Sequence, residues 1–103
     1  MAKIRAYVYK DSGLIDSYKV YPPVVVLGKN DQFELVNTTD DEAVLKIPEG
    51  PFEGGRVDEK IGKHSKSNAK IPKETPPLAV EYQVTVDGKK ATAHSDPVII
   101  IDP

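Results

Sequence analysis

Leu78–Pro103 reads LAVEYQVTVDGKKATAHSDPVIIIDP, and this stretch decides the fold class. Val80, Tyr82, Val84 and Val86 alternate with Glu81, Gln83 and Thr85. That period of two places one set of side chains on a core and the other towards solvent. Asp87-Gly88 follows, a dipeptide suited to a two-residue hairpin turn because both central positions need positive φ. Ala91–His94 reads as the return strand. Asp96-Pro97 breaks it, and Val98–Ile101 is a final apolar strand. One alternating strand, a tight turn, a return and a closing strand form the end of an antiparallel sandwich.

The rest of the chain agrees. Ile4, Ala6 and Val8 alternate with Lys3, Arg5, Tyr7 and Tyr9, so one face is aliphatic and the other polar and aromatic. Asp11-Ser12-Gly13 is a turn signal. Leu14–Tyr21 reads as a second strand, stopped by Pro22-Pro23 because proline cannot donate to a ladder. Val24–Leu27 is apolar throughout and reads as a strand covered on both faces. Gln32–Asn37 sets Phe33 and Leu35 against Gln32 and Glu34. Ala43, Leu45 and Ile47 repeat the pattern. Pro48–Lys63, with four glycines, reads as a long loop, and Val57–Ile61 within it as a helical turn at most. His64–Ile71 reads as a strand with little apolar content. The expected core is Phe33, Leu35, Leu45, Val84, Val86 and Ile100. Seven or eight short strands in 103 residues predict an all-β Greek-key sandwich, one domain spanning 1–103. An immunoglobulin-like sandwich is the alternative.

Composition removes several functions. There are no cysteines, so disulfides, thiolate metal sites and thiol catalysis are excluded. A formal net charge of -2 gives no bulk attraction to nucleic acid or anionic membranes. The first residues lack the apolar segment of a signal peptide, so a cytoplasmic protein is the default expectation, or a secreted or periplasmic one if a leader was removed. No apolar run reaches membrane-spanning length.

Gly28–Pro48, GKNDQFELVNTTDDEAVLKIP, resembles the cupredoxin segment in which one strand ends in Asn and the next opens with a copper-binding His. The closing VEYQVTV and SDPVIIID segments resemble that family's last strands and ligand loop. The resemblance covers the chain from about Val24 onward and implies a cupredoxin-like fold. It does not carry the copper site across. The first family His falls near Glu42 or Ala43, and the Cys falls between Gln83 and Val86. His94 lies beyond the Asp87-Gly88 turn with no Met after it. A blue-copper centre needs a thiolate, so the implied protein is a copper-free relative with no cofactor.

Other candidate sites are weaker. His64 and His94 with Asp96 are a conceivable metal set, as in a small metal-handling protein; two surface histidines is the preferred reading. Asp40-Asp41-Glu42, with Asp31, lacks a calcium-loop pattern. Ser95-Asp96 beside His94 does not make a catalytic triad, which is a matter of geometry. Lys60–Lys73 contains Lys63, Lys66 and Lys70 and no acid. It is a candidate for weak anion or nucleic-acid binding, but has no aromatic residue for base stacking. Lysines that protect a sheet edge are the preferred reading there. Tyr7 and Tyr9 are candidates for an exposed platform for carbohydrate or a protein partner, against simple cross-strand pairing. The leading expectation is a non-enzymatic binding or interaction module, monomeric or weakly dimeric, with an unknown protein or small-molecule partner. Phe52 and Val57 are expected to cover the second face of Val98–Ile101, unless another subunit does.

Overall fold

The computed structural model describes residues 2–13, 16–93 and 96–102. Its described residues form ten strands: β1 (Lys3–Ser12), β2 (Asp16–Tyr21), β3 (Val24–Leu27), β4 (Gln32–Asn37), β5 (Ala43–Ile47), β6 (Val57–Ile61), β7 (Leu78–Glu81), β8 (Gln83–Val86), β9 (Lys89–Ala91) and β10 (Val98–Ile101). They make three small sheets, ordered β2-β1-β4, β3-β10-β7 and β6-β5-β8-β9. Among the described residues no helix is long and apolar enough to cross a membrane.

The sheets pool their inward faces into one core. Ala6, Val8, Phe33 and Leu35 come from the first, Val25, Leu27, Ile99 and Ile101 from the second, and Leu45, Ile47, Val84 and Val86 from the third. Phe33 sits at the centre, stacked on Phe52 at 6.1 Å and meeting Tyr82 edge-on at 5.6 Å. The pairing is that of a sandwich with crossed connections. β1 pairs with β4 in parallel, and β10 pairs with β3 in parallel and β7 antiparallel. The Asp87-Gly88 hairpin forms as the dipeptide predicts, with φ of +52° and +72°.

Several expectations change. Leu78–Val86 is not one strand: it breaks at buried Tyr82, so that β7 pairs with β10 while β8 pairs with β5. Switching sheets lets one alternating segment serve two layers at a corner. Val57–Ile61 is a strand, not a helical turn, because it pairs with all of β5. β3 is covered on one face only; Val25 and Leu27 are buried, while Val24 and Val26 remain 45% and 53% exposed. Ile100 is not in the buried core. Ile99 and Ile101 fill it, and Ile100 stands beside Val26 on the outer face, partly exposed. Phe52 does not cover that outer face; it is buried in the core against Phe33. β1 runs on through the expected turn to Ser12, and the expected start of the second strand, Leu14, lies outside the described residues.

His64–Ile71 forms no full strand, yet its backbone serves β4. Lys70 and Phe33 exchange N–H···O bonds of 2.9 Å, Ser67 N donates to Leu35 O, and Asn37 N donates to Ser65 O. Leu35 N is satisfied by the Ser67 hydroxyl at 2.9 Å. The β4 edge is therefore paired rather than open.

Candidate functional site

The period of two along β1 sends Ala6 and Val8 inward and Tyr7, Tyr9 and Asp11 outward. On β2 the same alternation sends Tyr18 and Val20 inward, leaving Lys19 and Tyr21 on the outer face. The hairpin register places Tyr7 opposite Tyr21 and Tyr9 opposite Lys19. Paired residues share a sheet face, and diagonal neighbours lie about 7–8 Å apart at the backbone, within reach of aromatic side chains. Tyr7, Tyr9 and Tyr21 thus form an aromatic triangle, with exposures of 40%, 39% and 64%.

A third segment completes this face. Thr92 bridges Lys19, with Val20 N donating to Thr92 O at 3.0 Å and Thr92 N donating to Tyr18 O at 3.2 Å. The result is a groove of about 460 Å³ lined by Tyr9, Asp11, Lys19, Tyr21, Pro23 and Thr92, among others. Among the described residues no hydrogen bond or ion pair engages the Asp11 carboxylate or the Lys19 ammonium. The groove therefore offers an acceptor, a cationic donor, hydroxyls and two aromatic rings. Tyr7 and Tyr9 were legible from strand parity. Tyr21, Lys19 and Thr92 were not, because only the hairpin register and the β2–Thr92 bridge bring them to the same place.

Towards β4 the same outer face is closed by charge. Glu34 points to the outer face yet is only 4% exposed. Arg5 Nε donates to its Oε1 at 3.1 Å, and Lys66 Nζ stands 3.9 Å from Oε2. Lys70 pairs with Glu59 of β6, which also accepts Asn68 N at 2.8 Å. Two of the three singled-out lysines thus meet acids, Lys66 that of distant β4 and Lys70 that of neighbouring β6, while Lys63 is exposed. The segment holding them lines the β4 edge.

His64, in the left-handed region at φ +53°, is exposed and lies 2.7 Å from Asp40 Oδ1. His94 and Ser95 lie outside the described residues, so the proposed His64–His94 pairing does too. Among the described residues no three His, Asp or Glu side chains converge as a metal set. Asp31 is spent on its own turn, accepting Gly28 N at 2.8 Å and Ala2 N at 3.2 Å.

No family model matches this chain, and no curated protein matches it with significance. Among solved structures it is similar to a multi-copper oxidase from Pediococcus acidilactici, at 10% identity and a TM-score of 0.51, over 96% of this chain. This chain spans 24% of that protein's length. The likeness is one of fold: a cupredoxin-like sandwich.

Proposed function

We propose that this protein is a non-enzymatic binding module, a cupredoxin-like scaffold without the family's copper ligands, whose ligand surface is the outer face of β1 and β2. The observation that carries the reading is the triangle of Tyr7, Tyr9 and Tyr21. Three half-exposed aromatic rings on a paired, hydrogen-bonded sheet are rigid contact area obtained at little entropic cost. What supports the copper-free part of this reading is composition: with no cysteine, the chain has no thiolate to offer a blue-copper centre. Ala43, Val84 and Val86, at or beside the expected ligand positions, are fully buried aliphatic packing. The groove holds a mixture of rings, donors and acceptors suited to holding a ligand.

Amide NMR spectra recorded against a panel of oligosaccharides, peptides and small metabolites test this. The expected result is perturbation of β1, β2 and Thr92. Perturbation centred on Lys63, Lys66 and Lys70, or on His64, by the best ligand of the panel would move the function elsewhere.

A further inference from the structure

The ligand class can be narrowed from the hydrogen-bonding inventory of the groove. We infer that the Tyr9–Tyr21 groove takes an uncharged carbohydrate, a sugar residue or short oligosaccharide; this rests on the binding-module reading above.

Three observations carry it. First, the groove pairs an obligate acceptor with an obligate donor. The Asp11 carboxylate only accepts and the Lys19 ammonium only donates. They sit on the same face, two residues apart along neighbouring strands, since Tyr9 opposes Lys19 and Asp11 opposes Ser17. A sugar hydroxyl both donates and accepts, so one ring can satisfy both groups. A proline-rich peptide, the other frequent guest of tyrosine grooves, presents carbonyl acceptors and no N–H at its prolines. It would leave the carboxylate desolvated and without a donor. Second, the aromatic rings supply flat apolar area. The C–H-bearing face of a pyranose is apolar while its rim is polar, so it can lie on a tyrosine ring and keep its hydroxyls at the edge. Tyr21, at 64% exposed, and Tyr9, at 39%, are the rings that line the groove. Third, the scale is that of a small ligand. A groove of about 460 Å³ falls within the range of about 300–1,000 Å³ usual for small-molecule sites. Tyr7 lies beyond it, directly opposite Tyr21, and extends the aromatic track for a second sugar unit.

The charges also argue against a polyanion. Asp11 lies in the groove itself, and the nearby Arg5 and Lys66 are committed to Glu34. Within the groove a nucleic-acid backbone would meet one cation, Lys19, and one carboxylate, Asp11, of opposing effect.

The test is an amide NMR titration of the whole chain with cellohexaose, laminarihexaose and chitohexaose in turn, and with a proline decapeptide in parallel. At least one oligosaccharide is expected to shift the signals of Tyr9, Asp11, Lys19, Tyr21 and Thr92 at millimolar concentration or below. Tyr21→Ala should weaken that binding by about tenfold, the loss expected for an aromatic anchor. Asp11→Asn should weaken it less, with the melting temperature unchanged, since the side chain is exposed. If the decapeptide shifts these signals and no sugar does, the carbohydrate inference falls while the surface remains a binding face. If a sugar binds but shifts signals elsewhere, and Tyr21→Ala leaves its affinity intact, both the inference and the placement of the binding face are overturned. If no sugar shifts any signal, the carbohydrate inference is overturned.

Discussion

The Thr39 hydroxyl donates to Asn37 Oδ1 at 2.7 Å, two residues away, and the pair organises the turn between β4 and β5. Asn37 is fully buried. Its Oδ1 also accepts Thr39 N at 3.0 Å, while its Nδ2 faces the carbonyls of Asp41, Ile61 and Gly62 at 2.8–3.2 Å. One amide thus ties the end of β4 to the following turn and to the end of β6.

Asn37→Asp is expected to be the most damaging conservative change in the chain. It turns the donor end of the amide into an oxygen facing three carbonyls, in a buried site. The loss should reach about 3 kcal/mol or more, as for a buried group deprived of its partners. Urea unfolding measures it, and a loss under about 1 kcal/mol would mean that the network adjusts freely.

Phe33→Ala should cost about 3–5 kcal/mol, the range for truncating a large buried aromatic. Phe33 is fully buried and contacts both Phe52 and Tyr82, so the gap opens between three elements. The midpoint of denaturant unfolding should fall accordingly. An unchanged midpoint would place Phe33 outside the cooperative core.

Tyr82 Oη is buried and, among the described residues, is without a hydrogen-bond partner. Burial pushes its phenol well above the ordinary value. The unfolded chain therefore releases this proton near pH 10 while the folded one retains it. Stability contributed by the neutral phenol is present below that pH and declines as pH rises above it. Tyr82→Phe should be neutral or stabilising by about 1 kcal/mol at pH 7, because it removes an unpaired buried hydroxyl. It should also flatten the alkaline decline. Thermal melts of both forms between neutral and strongly alkaline pH decide it; equal slopes would mean that the hydroxyl is solvated.

β10 provides a contrast within adjacent residues. Ile99 is fully buried, whereas Ile100 stands on the outer face with Val24, Val26 and Val98. Ile99→Lys should unfold the protein or lower its melting temperature sharply, since a lone charge in the core has no partner. Ile100→Lys should leave the fold intact. Light scattering of that second variant adds a check: a dimeric parent that becomes a folded monomer would identify the outer face as an interface between copies.

The strand alternations and the Asp87-Gly88 turn were legible because their causes are local. A period of two needs only neighbouring side chains, and a type I′ turn needs only two residues tolerant of positive φ. The parity of β1 likewise put Tyr7 and Tyr9 on one face before any partner was known. Val57–Ile61 resisted reading because its strand state comes from pairing with β5, which lies beyond a glycine-rich loop. Val24–Leu27 and Val98–Ile101 are uniformly apolar, so their composition cannot say which face meets the core; packing against the other two sheets decides that. The break at Tyr82 arises where one alternating segment has to serve two sheets. The acid-free run of lysines acquires its acids from outside itself, Glu34 from distant β4 and Glu59 from β6 just before it, and only the folded-back chain brings them together. The groove follows the same logic. Amino-acid order along a strand determined which way each tyrosine points, through the pleat. Which of them meet, and that Lys19 and Thr92 lie beside them, was decided by hairpin register and by contact between sheets, which are non-local interactions set only when the whole core packs.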